Sequence, residues 1–323
     1  VLAAPAYWLT GNPYTAHNTV ALLSFMLSLI GAYLLVRHLT GRRSAATVSA
    51  VLFAFCPFIF ARTPHIQLLM TAGLPFSMLA FHRLVERPKI GRGLILGLVL
   101  AATGLACGYY GLFVGLMVGV AIIFFATTNR LWTNASYWTA IGLAVVTGGV
   151  VTGIAFVPYL EVAGTHGAIA RTLDEARVYS ADWQSYLASP ARSHRWILDR
   201  IEVWNEVLFP GFLTLALAAV GLTALRRPTG AAPTCPEATT DAPRSLSPIV
   251  VLYGLIGFLA WWASLGPAGG LYTVLFETVP GFGMLRAPGR FGIVVALALS
   301  VLAGVGVTRL ARGRRTGAVT ATL

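Results

Sequence analysis

Apolar stretches, each ended by a short basic, Gly-marked or Pro-marked break, fill almost the whole of this chain. A membrane-crossing helix needs roughly 20 apolar residues, with a range of about 17–25. Runs near 17–36, 45–60, 65–83, 93–107, 111–127, 138–158, 208–225, 248–264 and 291–310 predict an all-α, polytopic transmembrane bundle of about nine spans. The runs at 45–60 and 93–107 are short for a full crossing.

The stretch from Gly93 to Thr127 reads in two ways. As one helix it would extend about 50 Å at 1.5 Å per residue, well beyond a hydrocarbon core of about 30 Å. Gly108-Tyr109-Tyr110-Gly111 sits at its middle. Glycine permits a tight reversal and tyrosine favours the membrane interface. Two short spans joined by a turn are expected.

Composition agrees with the pattern: 57% of residues are hydrophobic and 11% charged, against about 25% charged in soluble domains. Residues 1–323 are expected to form one membrane domain. The chain opens on Val1, no basic n-region precedes an apolar h-region, and Val1 to His17 reads as a loop. Upstream sequence is therefore expected, which would make the chain a fragment of a longer one.

Charge adds orientation. With nine spans, 15 of the 23 Lys and Arg but only three of the eleven acids fall on one side; the other side carries eight of each. The positive-inside tendency makes the first side cytoplasmic. The net charge of +12 then reflects topology and contact with anionic lipid heads. Positives dispersed among loops do not suit nucleic acid. The Pro-, Thr- and Ala-rich run at 228–248 reads as a flexible cytoplasmic linker. Cys56, Cys107 and Cys235 have neither metal spacing nor a disulfide framework, and no P-loop, dinucleotide fingerprint, zinc motif or nucleophile elbow occurs.

Polar chemistry collects on the second side. The extracytoplasmic loop at 162–207 holds Asp174, Glu175, Asp182, Asp199, Glu202 and Glu206. From Ser193 to Leu208, Trp196, Ile197, Ile201, Val203, Trp204 and Val207 recur at helical spacing. They predict a short amphipathic helix, lying in the interface or packed on the bundle as a lid. Thr63-Pro64 suits an N-cap followed by Pro at the first helical position, with Arg62, His65 and Gln67 around it. Pro288 opens the last span between Arg286 and Arg290, and Pro210-Gly211 opens another. Helix starts attract anions, and arginine adds a fork that matches phosphate oxygens. Two such starts on one face would grip a phosphate or diphosphate. The alternative is that these arginines snorkel to lipid headgroups and that His65 makes a structural hydrogen bond. In Tyr179-Ser180-Ala181-Asp182-Trp183, Ser180 would cap a short helix, and Asp182 is either a capping residue or a substrate contact. Glu161, at a span end, is a weaker candidate of the same kind.

The chain resembles bacterial multispan glycosyltransferases of the GT-C type, protein-mannosyltransferase-like, and the related YfhO-like membrane proteins. The matching pieces are Gly11-Asn12-Pro13 leading to Asn18, Phe55-Cys56-Pro57-Phe58 leading to Ala61-Arg62, His65-Ile66-Gln67-Leu68, and Leu74-Pro75. Tyr109-Tyr110-Gly111, Tyr179 to Asp182 with Tyr186-Leu187, Leu208 to Gly211, and Leu285 to Phe291 follow. The resemblance implies a bacterial plasma-membrane enzyme that moves a sugar from a polyprenyl-phosphate carrier on the outer side. It implies a carboxylate acting as base or metal ligand in the first outer loop, with a divalent cation as the possible cofactor. No such loop occurs in this chain, so the catalytic residue is expected upstream of Val1, with Asp182 the weaker candidate within it. The residues expected to line the substrate site are Arg62, His65, Gln67, Tyr109, Tyr110, Tyr179, Asp182, Tyr186, Arg286 and Arg290. No protein metal site is expected. The competing readings are a transporter or lipid flippase, which would need a polar cavity at mid-membrane, and a non-catalytic scaffold. The spans are nearly free of charge, with His82 near a span end, and no internal repeat is visible.

Overall fold

The computed structural model describes residues 3–166, 171–201, 206–225 and 246–320, and among them there are helices and no strands. In chain order the helices are α1 (Ala4–Thr10), α2 (Pro13–Thr40), α3 (Arg43–Ala54), α4 (Pro57–Ala61), α5 (Ile66–Leu69), α6 (Gly73–Glu86), α7 (Ile90–Ala106) and α8 (Gly108–Thr128). Then come α9 (Ala135–His166), α10 (Leu173–Val178), α11 (Arg195–Leu198), α12 (Phe212–Leu222), α13 (Ser247–Ser264), α14 (Leu271–Thr278) and α15 (Gly292–Thr320). Seven helical units are long and apolar enough to cross a membrane: Pro13–Thr40, Arg43–Ala61, Ile66–Glu86, Gly108–Thr128, Ala135–Pro158, Ser247–Ser264 and Pro288–Ala311. Ile90–Ala106 and Phe212–Leu225 are shorter apolar helices. The nine apolar runs of the sequence are these nine units, and the protein is a polytopic membrane protein by its helices' length and composition.

Local chemistry sets the breaks. Asn12 caps α2, its Oδ1 accepting from the N–H groups of Tyr14 at 2.8 Å and Thr15 at 3.3 Å, with Pro13 at the first helical position. Gly41, at φ 71°, ends it in the left-handed conformation. The described part of the expected opening loop, residues 3–17, is thus mostly helical: α1, the cap at Asn12 and the start of α2 occupy it. The missed signal is the Asn-Pro pair, which opens a helix there.

Cys107, extended at φ −155° and ψ 114°, separates α7 from α8. The chain doubles back so tightly that a Cβ on Gly111 would lie 2.6 Å from the Cα of Gly104. Two residues seven apart touch only if the helix reverses, since a continuous helix would separate them by about 10 Å. The expected reversal forms, but at Cys107: Gly108–Gly111 lie in the first turn of α8, which at 21 residues is long enough to cross, and only α7 is short.

The closest helix pairs rest on the same device. A Cβ on Gly93 or Gly97 of α7 would lie 2.4 Å from the Ala140 carbonyl oxygen or 2.6 Å from that of Ala144 on α9. On α12 and α15, Gly221 meets Leu302 and Gly306 meets Leu217 in the same manner. Between lipid-like surfaces there is little hydrophobic driving force, so close backbone approach through small residues holds such helices together. α15 is central, 89% of its span residues being buried against α3, α12, α13 and their neighbours, whereas α9 is peripheral at 17%. Several polar groups inside the spans pair with one another: Ser49 Oγ donates to the Ser300 carbonyl at 2.7 Å, Ser28 and Thr71 hydroxyls meet at 2.7 Å, and His82 Nε2 lies 3.1 Å from the Tyr253 hydroxyl.

The segment from Ser193 to Leu208 differs from its periodicity. Among the described residues of this stretch, helical structure covers a 3-10 turn at Arg192–His194 and α11, and α11 ends at Leu198 with Asp199 as its C-cap. Leu208 and Phe209 instead spend their backbone N–H groups on the carbonyls of Ser185 at 2.9 Å and Ala188 at 3.1 Å. Tertiary pairing outweighs the apolar repeat there. Residues 202–205, and most of the expected linker at 228–248, lie outside the described residues.

Candidate functional site

Connections of alternate parity along the nine apolar helical units gather in separate groups. At one end His38 meets Glu86 at 3.2 Å and Arg309 donates to the Thr223 carbonyl at 2.6 Å. At the other end the turn after α4, the start of α8, the segments at 171–201 and 206–211, and the entry to α15 converge.

The entry to α15 is built rigidly. Pro288 begins a 3-10 turn, Pro288–Phe291, that runs into the helix. The Tyr272 hydroxyl donates to the Leu285 carbonyl at 2.8 Å, and the Arg286 N–H donates to the Tyr109 hydroxyl at 3.0 Å. Gly289 N–H donates to the Tyr179 carbonyl at 3.0 Å, and Phe291 stacks on Phe113 at 4.1 Å. Two guanidiniums therefore leave this turn from fixed backbone. Arg286 has a carboxylate, Glu175 Oε1 at 3.3 Å, and lies over the Tyr179 ring at 5.2 Å. Glu175 in turn takes Arg171 at 3.2 Å and sits in the first turn of α10, whose cap is the Thr172 hydroxyl. Arg290 lies over the Tyr109 ring at 4.1 Å, and among the described residues its guanidinium has no ion pair and no hydrogen bond.

Arg62 comes from the other side. Its Nη2 pairs with Oε2 of Glu206, and its guanidinium lies 5.1 Å from the Phe58 ring. Both partners are largely out of solvent, at 18% and 6% side-chain exposure. Among the described residues, Arg62 Nε is buried with no hydrogen-bond partner. Burial foremost, and then the positive charge of Arg290, push the Arg62 pKa below the ordinary arginine value. Glu206 lies between the turns that carry the two arginines: a Cβ on Gly289 would lie 2.6 Å from Glu206 Cγ.

The other sequence candidates divide. Tyr109 belongs to the corner. Tyr110 is fully buried, and its hydroxyl donates to the Leu68 carbonyl at 2.6 Å, a strut between α8 and α5. Asp182 turns back on its own segment, its Oδ1 accepting from Ser185 N–H at 2.7 Å and Ser185 Oγ at 2.6 Å. Ser180 is not a cap; its hydroxyl donates to the Ala176 carbonyl at 2.8 Å. Tyr186 meets Ser264 Oγ at 2.8 Å, and burial raises its pKa. His65 and Gln67 are exposed, with no side-chain hydrogen bond among the described residues. Thr63-Pro64 does not open a helix: the Thr63 hydroxyl donates to the Phe60 carbonyl at 3.1 Å, and α5 begins at Ile66 without a side-chain cap. A four-residue helix offers little dipole, so Arg62 acts through its own charge. Glu206 and Glu175 are the residues sequence reasoning did not single out. The equal number of acids and bases on this side was the available hint of pairing.

Beside the corner lies an almost wholly apolar groove of about 620 Å³. Its walls are Gly104, Gly108, Gly111, Gly148 and Gly149, with Leu285 and Tyr109 at the arginine end. Lining residues from Ala144 to Phe156 of α9 give it a length of about 18 Å at 1.5 Å per residue. Glycines leave the backbone bare and the wall flat. Among the described residues no group of three His, Cys, Asp or Glu is placed to hold a metal ion.

Neither a curated protein nor a solved structure matches the chain. A family profile matches, and its description identifies no glycosyltransferase. It covers residues 5–323, nearly the entire length, so this multi-pass, all-helical chain belongs to the family described as DUF6311, a domain of unknown function.

Proposed function

We propose that this chain is an integral membrane glycosyltransferase, or the membrane portion of one, that takes a sugar from a polyprenyl-phosphate carrier at the extracytoplasmic end of the bundle. One observation carries the reading. Tyr109 supports Arg290 with its ring, accepts from the Arg286 backbone with its hydroxyl, and forms the wall of the apolar groove. A cationic headgroup site and a slot for a lipid tail therefore meet at one side chain. Arg290 and Arg62 would hold the carrier phosphate, and fixed positive charge would stabilise it as a leaving group. Arg286 and Tyr179 form the rim, and His65 and Gln67 stand exposed on the acceptor side. Asp182 shapes the segment 180–186 through Ser185.

The transport reading fares worse. Four cavities between the helices are lined almost entirely by apolar residues, whereas a transported polar solute needs polar partners at mid-membrane.

The direct test is a transfer assay on the full-length protein with a radiolabelled polyprenyl-phosphate sugar, with Arg62→Ala and Arg290→Ala alongside. Transfer is expected in the wild type and its loss in both variants; unchanged turnover in both would remove the phosphate clamp. Sidedness has its own test. A single cysteine replacing Trp183, 70% exposed, should react in intact cells with a membrane-impermeant maleimide. One replacing Lys89 should react only after permeabilisation, and the reverse pattern would place the arginine corner inside the cell.

A further inference from the structure

We propose that Glu206 is a displaceable internal counter-ion: its carboxylate occupies the place of a ligand's phosphate oxygens on Arg62 and leaves when that phosphate arrives. The inference rests on the lipid-phosphate reading of the corner and adds how the empty site is held.

The geometry supports it in three ways. First, the corner is unevenly matched: Glu206 pairs with Arg62 and lies against Gly289, the residue before Arg290, and among the described residues it is the one carboxylate paired to either arginine. Second, the match is incomplete even at Arg62. A guanidinium presents its donors as a fork that fits a carboxylate or phosphate with two parallel bonds. Glu206 takes Nη2 alone and leaves Nε buried without a partner. An unmade hydrogen bond at a buried charged group is costly, and a phosphate oxygen reaching Nε would remove that cost. Third, Glu206 is wedged rather than free. It is 6% exposed and lies against the Gly289 backbone, one residue from Arg290. Two and three residues further on, Leu208 and Phe209 are fastened to Ser185 and Ala188. The carboxylate is held where it neutralises the site without completing it. A phosphate bridging Arg62 and Arg290 would satisfy both guanidiniums and release Glu206 to water. No covalent step is involved; one anion replaces another.

The variant Glu206→Gln removes the competing charge and keeps the shape. Glu206→Asp keeps the charge but draws it back by one methylene. Purified wild type, both variants and Arg290→Ala would be titrated in detergent with farnesyl phosphate and, separately, with inorganic phosphate, while thermal unfolding reports folding. Farnesyl phosphate should bind Glu206→Gln about tenfold or more tightly than wild type, with Glu206→Asp between them. Unliganded Glu206→Gln should melt earlier than wild type, because Arg62 is left uncompensated, and regain that loss on binding. A matching gain with inorganic phosphate identifies the free anion as sufficient; a gain confined to farnesyl phosphate identifies a lipid headgroup. Equal affinity in wild type and folded Glu206→Gln, with binding lost in Arg290→Ala, overturns the counter-ion and leaves the lipid-phosphate reading standing. No binding by any of the proteins overturns both. If Glu206→Gln does not fold, an unchanged affinity in folded Glu206→Asp overturns the proposal and a raised one supports it.

Discussion

Replacing Arg290 by alanine should lower affinity for a polyprenyl-phosphate-linked sugar by roughly tenfold to a hundredfold, the usual worth of a charge-assisted hydrogen bond. Replacing Arg286 by alanine should lower it far less. The two side chains leave the same turn four residues apart, so the difference lies in what each already holds. Arg286 is paired with Glu175 and stacked on Tyr179. Arg290 rests on Tyr109 alone, among the described residues. A guanidinium without an anion has its charge to give to a ligand, whereas a paired one must first give up its partner. Arg290→Lys should recover part of the loss, since the ammonium keeps the charge but neither the planar stack nor the fork. Binding isotherms of the four proteins in detergent, each checked for an unchanged melting temperature, decide the matter. Equal losses for Arg286→Ala and Arg290→Ala would mean that the turn acts as a structural unit and that Arg290 has no special role.

How far the sequence reached depends on which force sets each feature. The spans were legible because nothing in a bilayer replaces a lost backbone hydrogen bond, so a long apolar run must be helical. The break at Cys107 was legible for a geometric reason, the excess length from Gly93 to Thr127, and the glycines around Tyr109 and Tyr110 marked its place. Gathering of the turns at 62–67 and 286–290 with the long loop also follows from topology, since span parity sends them to one end. Failures begin where a segment leaves the apolar regime. The repeat from Ser193 to Leu208 imitates a helix, but at its end the backbone N–H groups of Leu208 and Phe209 bond to Ser185 and Ala188, a choice made by residues outside the repeat. Thr63-Pro64 has the composition of a helix start, yet the Thr63 hydroxyl turns back to Phe60. The partner of Arg62 was out of reach for the same reason. Nothing local distinguishes Glu206 from the other acids of its loop, and a separation of 144 residues carries no periodic signal. Tyr110 shows the opposite error. It reads like Tyr109, but one helical step turns it from the arginine corner into the core.

Replacing Gly306 by alanine should destabilise the protein more than the same change at most other glycines. The added Cβ would stand 2.0 Å from the Leu217 carbonyl oxygen. Backbone cannot move aside like the end of a side chain, so α12 and α15 must separate along their contact. Overpacking of this kind costs about 1–3 kcal/mol and sometimes more. The effect falls on α15, the helix around which the others pack, so separation spreads to its other neighbours. Gly119→Ala is the control: it lies within α8 with nothing within 4 Å of a Cβ, and alanine's better helix propensity should leave stability unchanged or slightly raised, by up to about 1 kcal/mol. Gly221→Ala tests the mechanism, because its Cβ would stand 2.2 Å from the Leu302 carbonyl oxygen across the same contact. Once one alanine has parted the helices the second meets less resistance, so the double variant should lose clearly less stability than the two single losses added together. Thermal melting in detergent of the four variants measures each term. Strict additivity would mean that each glycine serves a separate neighbour, and a melting temperature for Gly306→Ala equal to that of Gly119→Ala would mean that the α12–α15 contact is not what holds the centre of the bundle closed.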